Sequence, residues 1–286
     1  MRHPILVPLG LAAVLALAAC DKEIDKDAVD RKLQDINVID ESDLNEVMLS
    51  SSDPNESVNY FQRATNSKPE RIDLQRGLAV SLVRAKRPTE AVAVWKRVIE
   101  LEGSTEDDKV ELADAYIRNG QWDKAEETLD SIVPTHETFK RYRLEAMIAD
   151  ANKEWKKADS FYETAVGLTT QPAGVMNNWG YSKLTRGDYP GAEKLFVQAI
   201  RQDSSLFTAK NNLVLARGAQ GQYTLPVVPM SQKERAELLY TMGLSAVKRG
   251  DPETGKGLFR DAIETHPQYF EAAVRSLRAL EESVAN

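Results

Sequence analysis

Small and bulky apolar residues recur along the middle of the chain at a nearly constant interval. An alanine is followed four residues later by an aromatic or large aliphatic residue, a spacing that places both on one face of a helix. The pairs are Ala91 and Trp95, Ala125 and Leu129, Ala158 and Tyr162, and Ala192 and Phe196. Successive alanines are 34, 33 and 34 residues apart. The interval predicts repeated structural units of one size.

Each unit is predicted to be a pair of helices packed back to back, as the segment 173–206 illustrates. Gly180 in the first helix and Ala192 in the second are small, so the two helices can approach closely. Gly187 lies in the turn between them and is expected to take the positive-φ conformation that ends a helix. One such pair cannot bury its apolar face alone and needs similar neighbours. Those neighbours are predicted at about 72–105, 106–138 and 139–172.

The 34-residue period resembles that of the tetratricopeptide repeat (TPR) family. The resemblance implies an all-α, right-handed solenoid in which the first helices of successive repeats line a concave groove. The solenoid is expected to span 42–286, with an imperfect repeat as its N-terminal cap. Tetratricopeptide solenoids end in a helix that is apolar inside and polar outside. The segment Tyr269 to Ala285 has that pattern and is predicted to be the C-terminal capping helix.

The repeat pattern is interrupted near residue 226. Pro226 occupies the position that Ala192 holds one 34-residue period earlier, and Pro229 follows it. Because proline breaks a helix when it lies inside one, residues 224–230 are predicted to form an extended strap close to polyproline II. The strap would replace the second helix of this repeat.

Two interpretations of the strap are open. In the first, its apolar residues cover the flank that the missing helix would have covered; these residues are Leu225, Val227, Val228 and Met230. In the second, the strap lines or gates a binding surface. A capping box formed by Ser231 and Glu234 is predicted to start the next helix.

The first twenty residues differ in character from the repeats. A short positive start precedes an apolar stretch from Ile5 to Ala19, which is short for a membrane span and typical of a secretory signal. The tetrapeptide that ends in Cys20, Leu-Ala-Ala-Cys, resembles the lipobox of bacterial lipoproteins. The resemblance implies a signal peptide at 1–19 and lipid on Cys20, the one cysteine of the sequence. An ordinary signal peptide with a chance cysteine is the alternative.

A lipidated Cys20 would hold the chain at a membrane of the bacterial cell envelope, facing the periplasm. More than one acyl chain makes such an attachment stable, because each buried CH₂ contributes roughly 0.8 kcal/mol. Asp21 resembles an inner-membrane retention signal of enteric bacteria, but the choice between inner and outer membrane stays open. Residues 20–41 carry dense charge of alternating sign and are predicted to be a spacer. A short partner-binding helix around Val29 to Ile39 is the alternative.

Composition and motifs argue against catalysis and against nucleic-acid binding. The formal net charge is −7 and no basic tract is present, whereas phosphate binding needs clustered Lys and Arg. The sequence has no His-Glu-x-x-His, no Gly-x-Ser-x-Gly and no phosphate-binding loop. His136 and His266 lie near predicted helix ends and are interpreted as loop or cap residues. We therefore expect no enzyme activity, no metal or other cofactor, and no small-molecule substrate.

The repeat register selects candidates for a groove that binds a protein partner. The asparagine pairs 177–178 and 211–212 are 34 residues apart and are expected to stack, residue over residue. An amide offers both a donor and an acceptor, so stacked amides can pair with an extended peptide backbone. Over these two repeats the pattern resembles the asparagine ladder of some sugar-transferase solenoids. Bonds from these asparagines to neighbouring helices are the alternative. The full candidate set is Arg76, Arg143, Asn177, Asn178, Tyr181, Asn211, Asn212 and Tyr240.

Four segments resemble the TadD-type lipoproteins of tight-adherence (Flp) pilus assembly. They are 72–78 (IDLQRGL), 177–184 (NNWGYSKL), 209–213 (AKNNL) and 225–230 (LPVVPM). The resemblance implies a non-enzymatic assembly factor that acts on the secretin or on another component of the pilus secretion apparatus. A TPR lipoprotein of general envelope biogenesis, serving outer-membrane protein or cell-wall assembly, is the alternative function.

Overall fold

The computed structural model describes residues 44–282. The predictions for Cys20, the signal peptide 1–19 and the spacer 20–41 therefore lie outside the described residues. The chain divides into two compact units between Asp53 and Pro54. The described part of the first unit contains a short helical segment at 44–50.

From Pro54 onward, every regular element that the structure describes is an α-helix. The helices are α1 (Pro54–Ser67), α2 (Ile72–Arg84), α3 (Pro88–Val98), α4 (Glu106–Arg118), α5 (Trp122–Asp130), α6 (Phe139–Ala151), α7 (Trp155–Gly167), α8 (Ala173–Thr185), α9 (Tyr189–Gln202), α10 (Phe207–Ala219), α11 (Gln232–Lys248), α12 (Pro252–Thr265) and α13 (Glu271–Glu282). No β-strand occurs between residues 44 and 282. The all-α prediction is confirmed. None of the described helices combines the length and the apolarity that a membrane span requires.

Consecutive helices pack as pairs, as the repeat interval predicts. The pairs are α2 with α3, α4 with α5, α6 with α7, α8 with α9, and α11 with α12. Each second helix also contacts the first helix of the next pair, so the unit from Pro54 forms a tetratricopeptide solenoid. The alanine and aromatic residues of the repeating pattern lie in the helix interfaces. Ala192 and Phe196, for example, are fully buried.

The close approach predicted at Gly180 is present. A Cβ atom built on Gly180 would lie 2.6 Å from Cε1 of Phe196, a distance that leaves no room for a side chain. The same relationship recurs in α11 and α12, where a Cβ on Gly243 would lie 2.6 Å from Cε1 of Phe259. Gly187 has φ +86° and follows the last turn of α8, as predicted. Glycine facing phenylalanine therefore sets the distance between the two helices of these pairs.

Residues 224–230 contain no helix, as the two prolines predict. The strap is not a regular polyproline II segment, because the Val228 N–H donates to the Pro226 carbonyl at 3.0 Å. A hydrogen bond between residues two apart is the mark of a γ-turn, so the strap bends at Val227.

The strap covers core residues on the flank where a second helix is missing. Leu225 and Met230 pack against the cluster that includes Leu238 and Met242, whereas Val228 packs against the neighbouring cluster around Phe196 and Leu213. The prediction that Val227 shares this role is wrong. Its side chain is fully exposed, because it lies at the outer point of the bend.

Without that second helix, α10 and α11 pack directly against each other. A Cβ atom built on Gly218 of α10 would lie 2.6 Å from Cβ of Ser245 of α11. The predicted capping box starts α11. Ser231 Oγ accepts from the Glu234 N–H at 3.2 Å, and the Glu234 carboxylate accepts from the Ser231 N–H at 2.7 Å. Two helices of the first type are thus direct neighbours at this point of the solenoid.

The C-terminal helix α13 is amphipathic, as predicted for a cap. Ala273 is fully buried, and half-buried apolar residues continue the same face. The exposed face carries Arg275, Arg278 and Glu281. The helix begins at Glu271, two residues later than predicted, and Tyr269 is 75% exposed before it.

Candidate functional site

A pocket of about 520 Å³ lies against three successive first helices, α6, α8 and α10. We call it the groove pocket. It is lined by Trp122, Met147, Asp150, Ala151, Trp155, Tyr162, Asn177, Asn178, Tyr181, Ser182, Thr185, Thr208 and Asn212. Four of the eight predicted groove residues are in this set. They are Asn177, Asn178, Tyr181 and Asn212.

Besides the buried Tyr162, three aromatic side chains line the groove pocket. Trp122 and Trp155 are the first residues of α5 and α7, and each is half-buried. Tyr181 lies on α8 and is 53% exposed. Neither Trp122 nor Trp155 is among the predicted groove residues. Their recurrence at the repeat interval was the signal that both could reach the same surface.

The asparagines make a different contact from the one expected. Nδ2 of Asn212 donates to Oδ1 of Asn177 at 3.0 Å, and both residues are buried. Asn211 is engaged elsewhere, because Thr241 Oγ1 donates to its Oδ1 at 2.8 Å. These three residues therefore follow the alternative in which asparagines bond to neighbouring helices. Asn178 is half-buried in the groove pocket, and its amide has no hydrogen-bond partner among the described residues.

Arg76 lies outside the groove pocket and is bound within the fold. Its Nε and Nη2 donate to the two carboxylate oxygens of Asp108 at 2.7 and 2.6 Å, which joins α2 to α4. Burial alone would raise the pKa of Asp108. Hydrogen bonds from Arg76 and Thr105, together with the Arg76 charge, hold that pKa below its ordinary value instead. The guanidinium of Arg76 thus stabilises the contact between two repeats.

Tyr240 and Arg143 also lie outside the groove pocket. The Tyr240 ring packs at tilted angles against Phe259 and Phe270, with centroids 5.5 and 5.3 Å away, so it belongs to the C-terminal core. Arg143 is half-buried on α6, and its Nε has no hydrogen-bond partner among the described residues. The two basic candidates, Arg76 and Arg143, are not brought together.

Asp150 is the one charged residue in the described lining of the groove pocket. Its carboxylate accepts hydrogen bonds from the Tyr162 hydroxyl at 2.9 Å and from Ser182 Oγ at 2.6 Å. Burial raises the pKa of Asp150 above its ordinary value, and these bonds and the Arg186 charge only partly oppose it. Burial and the neighbouring carboxylate also raise the pKa of the Tyr162 phenol. The pocket therefore contains a carboxylate whose charge is poorly compensated.

A separate network beside the groove pocket joins α7 to α8. Arg186 Nη2 lies 2.7 Å from both carboxylate oxygens of Asp159, and Trp179 Nε1 donates to the same carboxylate at 2.6 Å. Trp179 also stacks on Tyr162, with ring centroids 6.2 Å apart. Burial alone would raise the pKa of Asp159, but the bonds from Arg186 and Trp179 hold it below its ordinary value. The guanidinium of Arg186 is thus committed to Asp159.

A second pocket, of about 450 Å³, continues the groove toward α11. Tyr181 and Thr185 line both pockets, so the two adjoin on α8. The second pocket reaches Ser245 and Arg249 because α11 lies directly beside α10. The groove is therefore continuous over four helices of the first type.

The groove offers groups suited to binding. It presents aromatic faces, one carboxylate and one unpaired amide. Among residues 44–282, no cluster of histidine, cysteine, aspartate and glutamate side chains is arranged to hold a metal ion.

Comparison with known proteins identifies one repeat of the chain and its fold. The tetratricopeptide-repeat family profile matches residues 237–269, within α11 and α12 and the turn that follows them. No curated protein sequence matches the chain.

Several solved structures share the fold at low sequence identity. A tetratricopeptide repeat protein from Parabacteroides merdae has a TM-score of 0.56 at 12% identity, with 84% of this chain and 96% of that chain covered. A chain of the APC/C hetero-tetramer Cut9–Hcn1 has a TM-score of 0.60 at 12% identity, with 82% of this chain and 48% of that chain covered. The human IFIT1 dimer with PPP-AAAA has a TM-score of 0.55 at 15% identity, with 79% of this chain and 59% of that chain covered. This chain thus spans about half of the Cut9–Hcn1 chain that it matches and about three fifths of IFIT1. From Pro54 onward, the chain has the tetratricopeptide-repeat fold.

Proposed function

We propose that the chain is a non-enzymatic scaffold for protein–protein interaction that binds a segment of a partner protein in its groove. Solenoids of this fold create extended concave surfaces that suit such binding. The observation that carries the proposal is the contrast on α8 between Asn177, which is bonded within the fold, and Asn178, whose amide is unpaired in the groove pocket. An unpaired amide beside the exposed Tyr181 is available to a ligand.

An extended peptide segment fits this surface better than a compact ligand does. The groove pocket continues into the second pocket through Tyr181 and Thr185, so the surface is elongated. The amide of Asn178 can donate to one backbone group and accept from another. Trp122, Trp155 and Tyr181 supply apolar area in the same pocket. A partner segment could therefore be held by its backbone at Asn178 and by its side chains in the two pockets.

We further propose that Cys20 anchors the chain by lipid in the bacterial cell envelope, facing the periplasm. The lipobox-like end of the signal sequence supports this anchor. We propose that the scaffold assists assembly of a tight-adherence (Flp) pilus or its secretion apparatus, with a secretin or a pilus assembly component as partner. The four segments that resemble TadD-type lipoproteins support that role.

Matched variants of the full chain in its own bacterium test the proposal. Cys20→Ser should release the chain from the membrane fraction. Tyr181→Ala should leave it membrane-bound and at normal level, but should abolish recovery of the partner in a pull-down and reduce surface pili. Tyr269→Ala is the control, because Tyr269 is 75% exposed and lies outside the groove. It should behave as the unchanged protein does.

The identity of the recovered proteins separates the two functions. Secretin or pilus proteins support the pilus role, whereas barrel-assembly proteins or peptidoglycan enzymes support general envelope biogenesis. Unchanged surface pili after deletion of the gene would contradict the pilus role.

A further inference from the structure

The groove pocket contains a negative charge and no positive one among its described lining residues. Asp150 supplies that charge, and its described hydrogen-bond donors, Tyr162 and Ser182, are both neutral hydroxyls. The cation that acts on it from a longer range is Arg186, whose guanidinium forms its ion pair with Asp159. Asp159 is itself paired with Arg186 and with Lys183, so Asp150 is the carboxylate of the two that has no ion-pair partner among the described residues. The site is therefore complementary to a cation.

The aromatic lining of the groove pocket also favours a cation. The face of an aromatic ring carries partial negative charge and attracts ammonium and guanidinium groups. Trp122, Trp155 and Tyr181 line the groove pocket together with Asp150. The Trp155 ring already interacts with one guanidinium in the fold, since Arg186 Cζ lies 5.8 Å from its centroid.

We infer that the groove pocket receives a lysine or arginine side chain of the bound segment, with Asp150 as its counter-ion and the three aromatic rings around its stem and charged head. The inference rests on the proposed function, because it names the chemistry of the partner segment. Asn178 holds the segment's backbone at the edge of the same pocket.

Other side chains fit the groove pocket less well. An acidic side chain would meet the charge of Asp150. An apolar side chain would bury that carboxylate further without compensating it, which carries a desolvation penalty. The adjoining pocket carries Lys248 and Arg249, so the preference for a basic side chain is confined to the groove pocket.

The four tryptophans of the chain allow a direct test by NMR. Trp122 and Trp155 line the groove pocket, whereas Trp95 does not and serves as the internal control. The probe is a pentapeptide, acetylated and amidated, with arginine at its centre and glycine and serine elsewhere. The matched probe replaces the arginine with citrulline, which keeps the shape and removes the charge. Both are titrated into the purified chain while the indole N–H resonances are followed.

We expect the arginine peptide to shift the indole resonances of Trp122 and Trp155 and to leave that of Trp95 in place. The citrulline peptide should bind at least about tenfold more weakly, because it lacks the charge that Asp150 and the rings attract. Equal binding of both peptides, or no shift of the Trp122 and Trp155 resonances, would overturn the inference.

Substitutions test separately whether the carboxylate and the aromatic lining contribute to binding of the arginine peptide. Asp150→Asn should weaken the arginine peptide about tenfold, whereas Asp130→Asn, which removes an exposed carboxylate from α5, should leave its affinity unchanged. Tyr181→Phe should retain binding and Tyr181→Ala should weaken it. Because Tyr181 is exposed, these two variants remain informative even where Asp150→Asn fails to fold. Unchanged affinity in Tyr181→Ala, or equal losses in Asp150→Asn and Asp130→Asn, would refute the assignment.

The outcome is separable from that of the proposed function. If the pull-down recovers a partner through the groove but the two peptides bind equally, the scaffold stands and the basic side chain is wrong. If the peptides discriminate but Tyr181→Ala has no effect on pull-down or pili, the pocket chemistry stands and the proposed scaffold role is wrong.

Discussion

Nδ2 of Asn212 donates a hydrogen bond to Oδ1 of Asn177, 3.0 Å away on the preceding first helix. The bond joins α8 to α10 at a buried point of the groove, where the two residues are 9% and 7% exposed, in chain order. It uses two of the four asparagines that sequence reasoning assigned to a peptide ligand. Asn177 makes the bond between the two helices, and the amide of the adjacent Asn178 remains available to a ligand.

Asn212→Ala should destabilise the fold by about 1–3 kcal/mol, because it leaves the buried Oδ1 of Asn177 without its donor. Asn178→Ala is the control and should change the free energy of unfolding by less than about 0.5 kcal/mol. Urea denaturation of both variants measures the difference. Equal losses in the two variants would mean that the Asn177–Asn212 bond contributes nothing specific.

Gly180→Ala should destabilise the fold by about 1–3 kcal/mol through overpacking against Phe196, even though alanine favours helix formation. Gly174→Ala on the same helix is the matched control, since a Cβ atom there meets nothing within 4 Å. That control should be neutral or stabilising by up to about 1 kcal/mol. Chemical denaturation compares the two, and a stabilised Gly180→Ala variant would contradict the close packing of α8 and α9.

The ion pair between Arg76 and Asp108 should make stability depend on acid pH. The pKa of Asp108 is held below its unfolded value of about 3.9. The ionised carboxylate therefore stabilises the fold above that value, and this contribution is lost as the pH falls through the lower folded-state pKa. Unfolding free energies measured between about pH 5 and pH 2 should fall less steeply in Asp108→Asn than in the unchanged chain.

Arg76→Gln is the matched variant for that measurement, since it removes the cation that lowers the pKa of Asp108. It should flatten the acid dependence in the same way, while it destabilises the fold near neutral pH. If the unchanged chain, Asp108→Asn and Arg76→Gln lost unfolding free energy equally steeply as the pH fell, this ion pair would not control the acid dependence.

The strap can be tested by two neighbouring valines. Val228→Ser should destabilise the fold by about 1–2 kcal/mol, because Val228 packs against the core cluster around Phe196. Val227→Ser should have almost no effect on stability, since Val227 is fully exposed. Thermal unfolding measures both. A pull-down of the Val227→Ser variant then separates the two interpretations of the strap, because loss of the partner in a stable variant would mean that the strap binds it.

The repeat interval predicted most of the fold because it reports helix contacts directly. A small residue at 180 and a large one at 196 must face each other for the pair to pack, so their recurrence predicts each hairpin. Pro226 was equally informative, because its effect on a helix is local and does not depend on the neighbours.

The groove was predicted less completely, since its shape depends on how successive repeats are placed. The spacing of 34 residues identifies equivalent positions, and it paired Asn178 with Asn212. The structure instead joins Asn212 to Asn177, a diagonal contact between neighbouring positions. Trp122 and Trp155 recur at the repeat interval, which marks them as equivalent positions, but their approach to α8 depends on the angle between repeats, which the interval does not give.

Arg76 and Tyr240 show a further limit of register. Both occupy the position of Asn177 in their own repeats, but their side chains find partners inside the fold. Arg76 binds Asp108, and Tyr240 packs on Phe259. Side chains at equivalent repeat positions point the same way from their helices. Whether such a side chain is free to bind a ligand depends on whether another residue of the fold lies close enough to bond it.

Site-specific photo-crosslinking in living cells tests most directly whether the groove binds a partner protein. A photoreactive phenylalanine analogue is placed at Tyr181 in the groove pocket or at Tyr269, an exposed tyrosine outside it, in the otherwise unchanged chain. We predict one discrete crosslinked protein at position 181, absent at position 269 and lost when Asn178→Ala is added. No product at position 181, or the same product at both positions, would contradict partner binding in the groove.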